Sequence, residues 1–421
     1  MKAYVYKLPP ESQKKNFLFN MIGSLTNAIV SLSLMIVVSY ITNSTVAGVF
    51  SIAFSTAQMM YTVCVFEMRN IQVTDAKREF SFEHISMFRM ITIAAMWLFF
   101  IVFVIVRGFD KETVLVMIAI TFYMTAAAMS DLFQGNLHRN GYLSIAGRSL
   151  ACQVALMAIA FSVTLIITKK LIAAAITMPI VVTAWIFIHD VPYNNNFNKF
   201  KPKFEFSIFK KMFLCALPLF LSSFMHQYVF NSPKYAIEDA LSKTHQAHYG
   251  YLVMPVFAIN LLSIFIFRPQ LISLSSDWAN GKIQSFKKTV VKLYLWVAAV
   301  TVAALVGGYL LGIPVLELLY NAELSSKKSI FMVLLVSGGF SAASTLTLTL
   351  FTTMRKQKLC LIAYGVTIIF ALIMPNIMTV KWGLMGAALS YLCEMALLFI
   401  IMFVMFLISI KKGNESHEEN S

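Results

Sequence analysis

Apolar residues in this chain come in long, nearly unbroken runs, not in the period-2 alternation of a half-buried strand or the narrow stripe of a surface helix. Twelve runs reach roughly the 20 residues a helix needs to cross a bilayer. They lie at 17–42, 46–68, 85–106, 113–133, 145–168, 171–189, 208–230, 249–270, 290–311, 329–353, 359–380 and 383–410. Only Lys169-Lys170 and Lys381-Trp382 separate the fifth run from the sixth and the eleventh from the twelfth, which predicts tight antiparallel hairpins. The longest connection, 190–207 (DVPYNNNFNKFKPKFEFS), is rich in Asn, Lys and Pro and lies near mid-chain. The pattern predicts an all-α integral membrane protein of about twelve spans in two six-helix lobes. A cytoplasmic segment 1–16 precedes an N-lobe 17–189, a cytoplasmic linker 190–207, a C-lobe 208–410 and a cytoplasmic tail 411–421.

Composition agrees with this reading. The 421 residues are 59% hydrophobic and only 13% charged, against about 25% charged in an ordinary soluble domain. That balance excludes a soluble enzyme, a disordered tail protein and a nucleic-acid binder. The formal charge of +15 is mostly topology: of 34 Lys and Arg, 25 fall on the side that holds the N-terminus and 9 on the other. Such a bias over short loops puts both termini in the cytoplasm. The polar, basic start and the long first run do not match a cleavable signal peptide. Cys64, Cys152, Cys215, Cys360 and Cys393 form no C-x-x-C pair and read as buried small hydrophobes.

The halves echo one another. AGVFSIAF (47–54) has its counterpart in AHYGYLVMPVFA (247–258), MRNIQVTD (68–75) in FRPQLISLSSD (267–277), and HRNGYLSIAG (138–147) in MRKQKLCLIAYG (354–365). Six helices per half give both halves one orientation, the parallel-repeat arrangement of many transporters.

Polar residues inside the spans carry the candidate chemistry, because polarity facing lipid is costly. Asn20, Ser24, Asn27 and Ser31 fall on one helical face of the first span, and Ser51, Ser55, Gln58 and Thr62 on one face of the second, with Arg69 at its end. The tenth span repeats this with Ser337, Ser341, Ser344 and Arg355, and the seventh carries Ser222, Ser223, His226, Gln227 and Asn231. Small polar residues also glue helices together. Several stripes ending in arginine point instead to a water-filled cavity with a basic mouth. Arg69, Arg148, Arg268 and Lys234 are the candidate grips for a phosphate or carboxylate cargo, each with the alternative of a plain membrane-flanking anchor. The acids are Glu67, Asp131, Glu317 and Glu394. Glu394 lies near the middle of the last span and is a candidate for proton or sodium coupling, or else a structural carboxyl, and Glu67 neighbours Arg69. Pro218 and Pro255 interrupt the seventh and eighth spans and mark the candidate hinge, while for Pro179 and Pro375 a static kink is an equal alternative. No G-x-x-x-x-G-K-[ST], H-E-x-x-H or G-x-S-x-G sequence occurs. His245 and His248 alone do not make a zinc site.

AGVFSIAF (47–54), MRNIQVTD (68–75), SDLFQGNLHRNGYLSIAGRS (130–149), NSPKYAI (231–237) and FRPQL (267–271) resemble bacterial Wzx-type polysaccharide-export flippases of the multidrug/oligosaccharidyl-lipid/polysaccharide (MOP) exporter superfamily. The resemblance implies two pseudo-symmetric lobes around a central cavity. It further implies transfer of an undecaprenyl-diphosphate-linked oligosaccharide repeat unit from the inner to the outer leaflet of the cytoplasmic membrane by alternating access. Arg69, Arg148, Lys234 and Arg268 are the positions it carries over for the diphosphate and sugar acids. It implies no cofactor and no catalytic residue, with a proton or sodium gradient or the membrane potential as driving force. The implied partners are the polyprenyl diphosphate-linked oligosaccharide, membrane lipids, and a polysaccharide polymerase with its chain-length regulator; nucleic acid is not among them. Drug-exporting relatives often carry a proline and an acid in the first helix. This chain has neither, which disfavours the alternative of an ion-coupled multidrug antiporter. A polytopic sugar polymerase or acyltransferase would need a sizeable outer loop or a His/Arg cluster, and the loops here are short.

Overall fold

The computed structural model describes residues 5–75, 78–267, 270–354, 356 and 358–418. Its spanning elements are helices throughout: α1 (Gln13–Ile41), α2 (Ser44–Val65), α3 (Met68–Thr74), α4 (Phe82–Arg107), α5 (Lys111–Arg139), α6 (Leu143–Thr168), α7 (Leu171–Trp185), α8 (Val191–Asn194), α9 (Phe206–Ala240), α10 (Lys243–Phe267), α11 (Leu271–Ala279), α12 (Ile283–Gly307), α13 (Ile313–Tyr320), α14 (Lys328–Thr353) and α15 (Lys358–Glu418). Among the described residues eleven helical segments are long and apolar enough to span a bilayer. The last, Lys358–Lys411, is 54 residues. A single helix of that length would run about 80 Å, far beyond a hydrocarbon core of about 30 Å. Non-helical backbone at Trp382 and at Gly383 (φ 58°, ψ −140°) breaks it into two spans. Gly383 can take this conformation because it lacks the Cβ that penalises positive φ. The twelve-span all-helical architecture expected from the runs is therefore present.

Helix starts follow local chemistry. Asn43, Ser81 and Asp110 each accept a hydrogen bond from a backbone N–H three residues on, satisfying donors that the first turn leaves orphaned. Gly108 and Lys169, both left-handed, close α4 and α6.

Contacts divide the chain into two compact units, Met1–Gln227 and Tyr228–Ser421, the division falling inside α9. In the first unit α2 and α5 are the most buried spans, with Ile52, Ala53, Met60, Ile120, Ala128 and Leu132 wholly or almost wholly enclosed. α4 instead exposes Leu98, Ile101 and Ile105, the apolar face a spanning helix turns to lipid. In the second unit the core is formed by α10, α14 and α15, with Tyr251, Leu334, Leu346 and Tyr391 buried.

Three expectations change. Cys152, Cys215 and Cys393 are exposed on their helices and only Cys64 and Cys360 are buried; a lipid-facing surface accepts a small apolar thiol as readily as a core does. Ser337, Ser341 and Ser344 are buried. Ser337 and Ser344 donate back to the carbonyls of Val333 and Phe340, and Ser341 accepts from Asn260, so this stripe is helix-packing glue. The third concerns the continuity of the second span, and it shapes the candidate site.

Candidate functional site

The stripe on the second span does not run on to Arg69 as one helix face. α2 ends at Val65, and Phe66 (φ 48°) and Glu67 (φ 54°) are both left-handed before α3 begins at Met68. Two successive non-glycine residues in this region cost roughly 1–2 kcal/mol each, so surrounding contacts must hold them. Phe66 stacks on Phe220 at 4.1 Å and lies 5.4 Å from Phe213. The Glu67 carboxylate accepts from Ser223 Oγ at 2.6 Å and from Asn70 Nδ2 at 2.6 Å. The first part of α9 is thereby fastened to the break.

The break also turns Arg69 toward α5. Arg69 Nη1 donates to Asp131 Oδ1 at 2.7 Å, and Arg89 Nη2 donates to Asp131 Oδ2 at 3.0 Å. Arg89 Nη1 and Thr92 Oγ1 both donate to the carbonyl of Cys64, at 3.1 and 2.8 Å, an acceptor that the end of α2 leaves unused. Arg89 is 1% exposed, whereas the Arg69 side chain is 30% exposed. Two guanidiniums thus share one carboxylate, and the surplus positive charge has its open side at Arg69. Close approach of α3 to α5 depends on Gly135, one turn beyond Asp131: a Cβ there would sit 2.4 Å from Gln72 Oε1 and 3.6 Å from Arg69 Cγ.

A second buried network lies in the same unit. Asp190, fully buried, ends a π-helical turn (Ile186–Asp190) and accepts from Ser130 Oγ and Ser149 Oγ, each at 2.5 Å, with His189 Nδ1 at 3.0 Å. Gln153, Gln134 and Trp185 complete it through hydrogen bonds to the two serines. Arg148, beside Ser149, is held differently: its guanidinium lies 5.0 Å over the Phe19 ring and its Nε donates to the Ser144 carbonyl.

The remaining positions are dispersed. Asn20, Ser24 and Asn27 are exposed on α1. Gln58 accepts from Gln227 Nε2 at 3.5 Å. Ser222 donates to the carbonyl of Pro218, one turn before it, and His226 is exposed on the same helix. Pro255 lies within α10. In the second unit Glu394 is fully buried and both its oxygens lie 2.9 Å from Ser232 Oγ. Tyr249 and Tyr391, both buried, are within electrostatic range of it. Lys234 is also buried, two residues after Ser232 on α9. Arg268 and Arg355 lie outside the described residues. No group of three or more His, Cys, Asp or Glu that could hold a metal ion occurs among the described residues.

Sequence reasoning passed over two buried charged residues, Arg89 and Asp190. Arg89 stands four residues into the third apolar run and reads as an anchor; the signal was a single cation inside that run. Asp190 stands one residue beyond the sixth run and reads as linker; the helix in fact continues through it to Asn194.

No family model matches this chain, and no curated protein does. Solved structures do. An inward-facing multidrug resistance MATE family transporter of the MOP superfamily superposes with a TM-score of 0.69 at 12% identity, covering 96% of this chain and 99% of that one. The eukaryotic MATE transporter AtDTX14 gives 0.62 at 11% identity, covering 96% and 98%. A MOP superfamily transporter from Pyrococcus furiosus, whose reversed binding-pocket polarity is said to suggest a different function, gives 0.58 at 15% identity over 95% of both chains. This chain has the fold of the MATE transporters of the MOP superfamily.

Proposed function

We propose that this protein is a flippase that moves a polyprenyl-diphosphate-linked oligosaccharide repeat unit from the inner to the outer leaflet of the bacterial cytoplasmic membrane by alternating access, for polysaccharide biosynthesis. The observation that carries the reading is the Arg69–Asp131–Arg89 cluster: two arginines against one carboxylate, with the partly exposed side chain of Arg69 as its open side. Arginine grips phosphate oxygens with a fork of N–H donors in a way that suits a diphosphate and not a cationic drug. The absence of any Asp or Glu in α1 supports the same choice. In this reading both termini are cytoplasmic, Arg69, Arg148 and Arg268 serve the cytoplasmic entrance, and Lys234 serves the outer half. The basic mouth accepts the headgroup while the prenyl tail stays in lipid.

A second reading, an ion-coupled antiporter of the multidrug type, draws on Glu394. A carboxyl fully buried in a spanning helix and touched by Ser232 is a natural carrier of a proton or sodium ion. The two readings meet if Glu394 couples an ion gradient to lipid transfer. Surface polysaccharide in cells carrying Arg69→Ala or Lys234→Ala separates them. The flippase reading expects both to lose polymer at normal membrane abundance, and wild-type polymer in both would overturn it.

A further inference from the structure

The carboxylate of Asp131 is neutralised twice, and the two arginines that do so differ in every other respect. Arg89 is enclosed and has a second acceptor, the Cys64 carbonyl at 3.1 Å. Its removal would leave Asp131 with Arg69 as its one remaining ion-pair partner among the described residues. Arg69 sits on a helix of only seven residues, is nearly a third exposed, and donates through Nη1 alone. Its other N–H groups meet no protein acceptor among the described residues. A guanidinium with spare donors at the surface can take a second anion. If that anion draws Arg69 away, Asp131 remains paired with Arg89, and no bare carboxylate is left behind.

We propose that Asp131 is a resident counter-anion which a phosphate of the cargo displaces from Arg69. Asp131 is then a positioning residue that sets how tightly the diphosphate is held. In the empty protein it aims Arg69 and satisfies its charge. On binding, the phosphate oxygens take over Arg69 while Arg89 retains Asp131. On release, Asp131 competes for Arg69 again and lowers the affinity that two unshared arginines would give. This device rests on the reading of Arg69 as the phosphate grip. Gly135 belongs to it, since a Cβ there would collide with Gln72 at 2.4 Å on the helix that carries Arg69.

The test uses the full-length protein in detergent with inorganic pyrophosphate as probe. Arg69→Ala is expected to weaken pyrophosphate binding about ten- to a hundredfold, the range of a lost charge-assisted hydrogen-bond pair. Asp131→Asn is expected to tighten it about two- to fivefold, the range set by removing a partly exposed competing ion pair. A purely structural Asp131 would leave affinity unchanged or reduce it. Unchanged or weaker binding in a folded Asp131→Asn protein, with Arg69→Ala still defective, overturns the displacement and leaves the phosphate grip standing. A wild-type protein that does not bind pyrophosphate overturns both. Should Asp131→Asn not fold, the wild type with 13C-aspartate decides. The pyrophosphate-induced infrared difference spectrum is expected to show a shifted aspartate carboxylate band that Arg69→Ala abolishes, and pyrophosphate binding without that shift overturns the proposal.

Discussion

Glu67 accepts a 2.6 Å hydrogen bond from Ser223, residues 156 positions apart, and this bond fastens a left-handed break in the second span to α9. The break would otherwise relax toward a continuous helix, because nothing in CVFEMRN supplies the glycine that such backbone prefers. Ser223→Ala removes one of two donors to the carboxylate and should cost about 1.5–3 kcal/mol, the worth of a hydrogen bond to a charged group. Amide hydrogen exchange in α3 should quicken while that in α5 does not. Equal exchange in both proteins would show that the aromatic stack of Phe66 on Phe220 holds the break alone.

The two arginines on Asp131 should respond unequally to truncation. Arg89→Ala leaves Asp131 paired only with the partly exposed Arg69 and strips the Cys64 carbonyl of one donor. Breaking a buried pair in this way costs about 3–5 kcal/mol. Arg69→Ala leaves the Arg89 pair intact and should cost no more than about 1 kcal/mol, near the value for partly exposed pairs. Chemical unfolding of the two variants checks the order. A larger loss for Arg69→Ala would mean that Arg69 is structural.

Gly135→Ala is a small change with a large expected effect. The new Cβ would lie 2.4 Å from Gln72 Oε1, and Gln72 is 1% exposed. The helices must part or Gln72 must find another rotamer in a filled interior, at about 1–3 kcal/mol. Lower thermal stability together with weaker pyrophosphate binding is expected. A variant with wild-type values for both would show that α3 can shift freely on α5.

How much of this was legible in the sequence follows from what a bilayer demands. Spanning runs must be long and apolar, so all twelve could be read, including the pair joined at Trp382 and Gly383. Arg69, Glu67 and Asp131 could be named because a charge near a span is costly. Their pairing could not, since it depends on a helix break that no proline or glycine marks. Arg89 and Asp190 stand within a few residues of span ends, where an ordinary anchor or linker residue looks the same. Serine stripes were ambiguous for a related reason. Ser337 and Ser344 satisfy their own helix carbonyls, so polarity at helical spacing does not by itself define a wet face.

Glu394→Gln tests ion coupling. The amide keeps the shape and the contact with Ser232 Oγ but cannot gain or lose a proton or offer a full negative charge. Transport by the variant should no longer respond to an imposed proton or sodium gradient, while passive equilibration persists. An undiminished response to both gradients would remove Glu394 from the coupling role and leave it a buried structural carboxyl.

The central claim is the cargo, and leaflet transfer measures it most directly. The purified protein is reconstituted into liposomes with a fluorescently labelled polyprenyl-diphosphate oligosaccharide, and a membrane-impermeant quencher reports the outer-leaflet share over time. The flippase account predicts transfer by the wild type, slowed at least about tenfold by Arg69→Ala if one charge-assisted contact to phosphate is lost. No transfer by a folded wild-type protein that does move organic cations across the same membrane would contradict it.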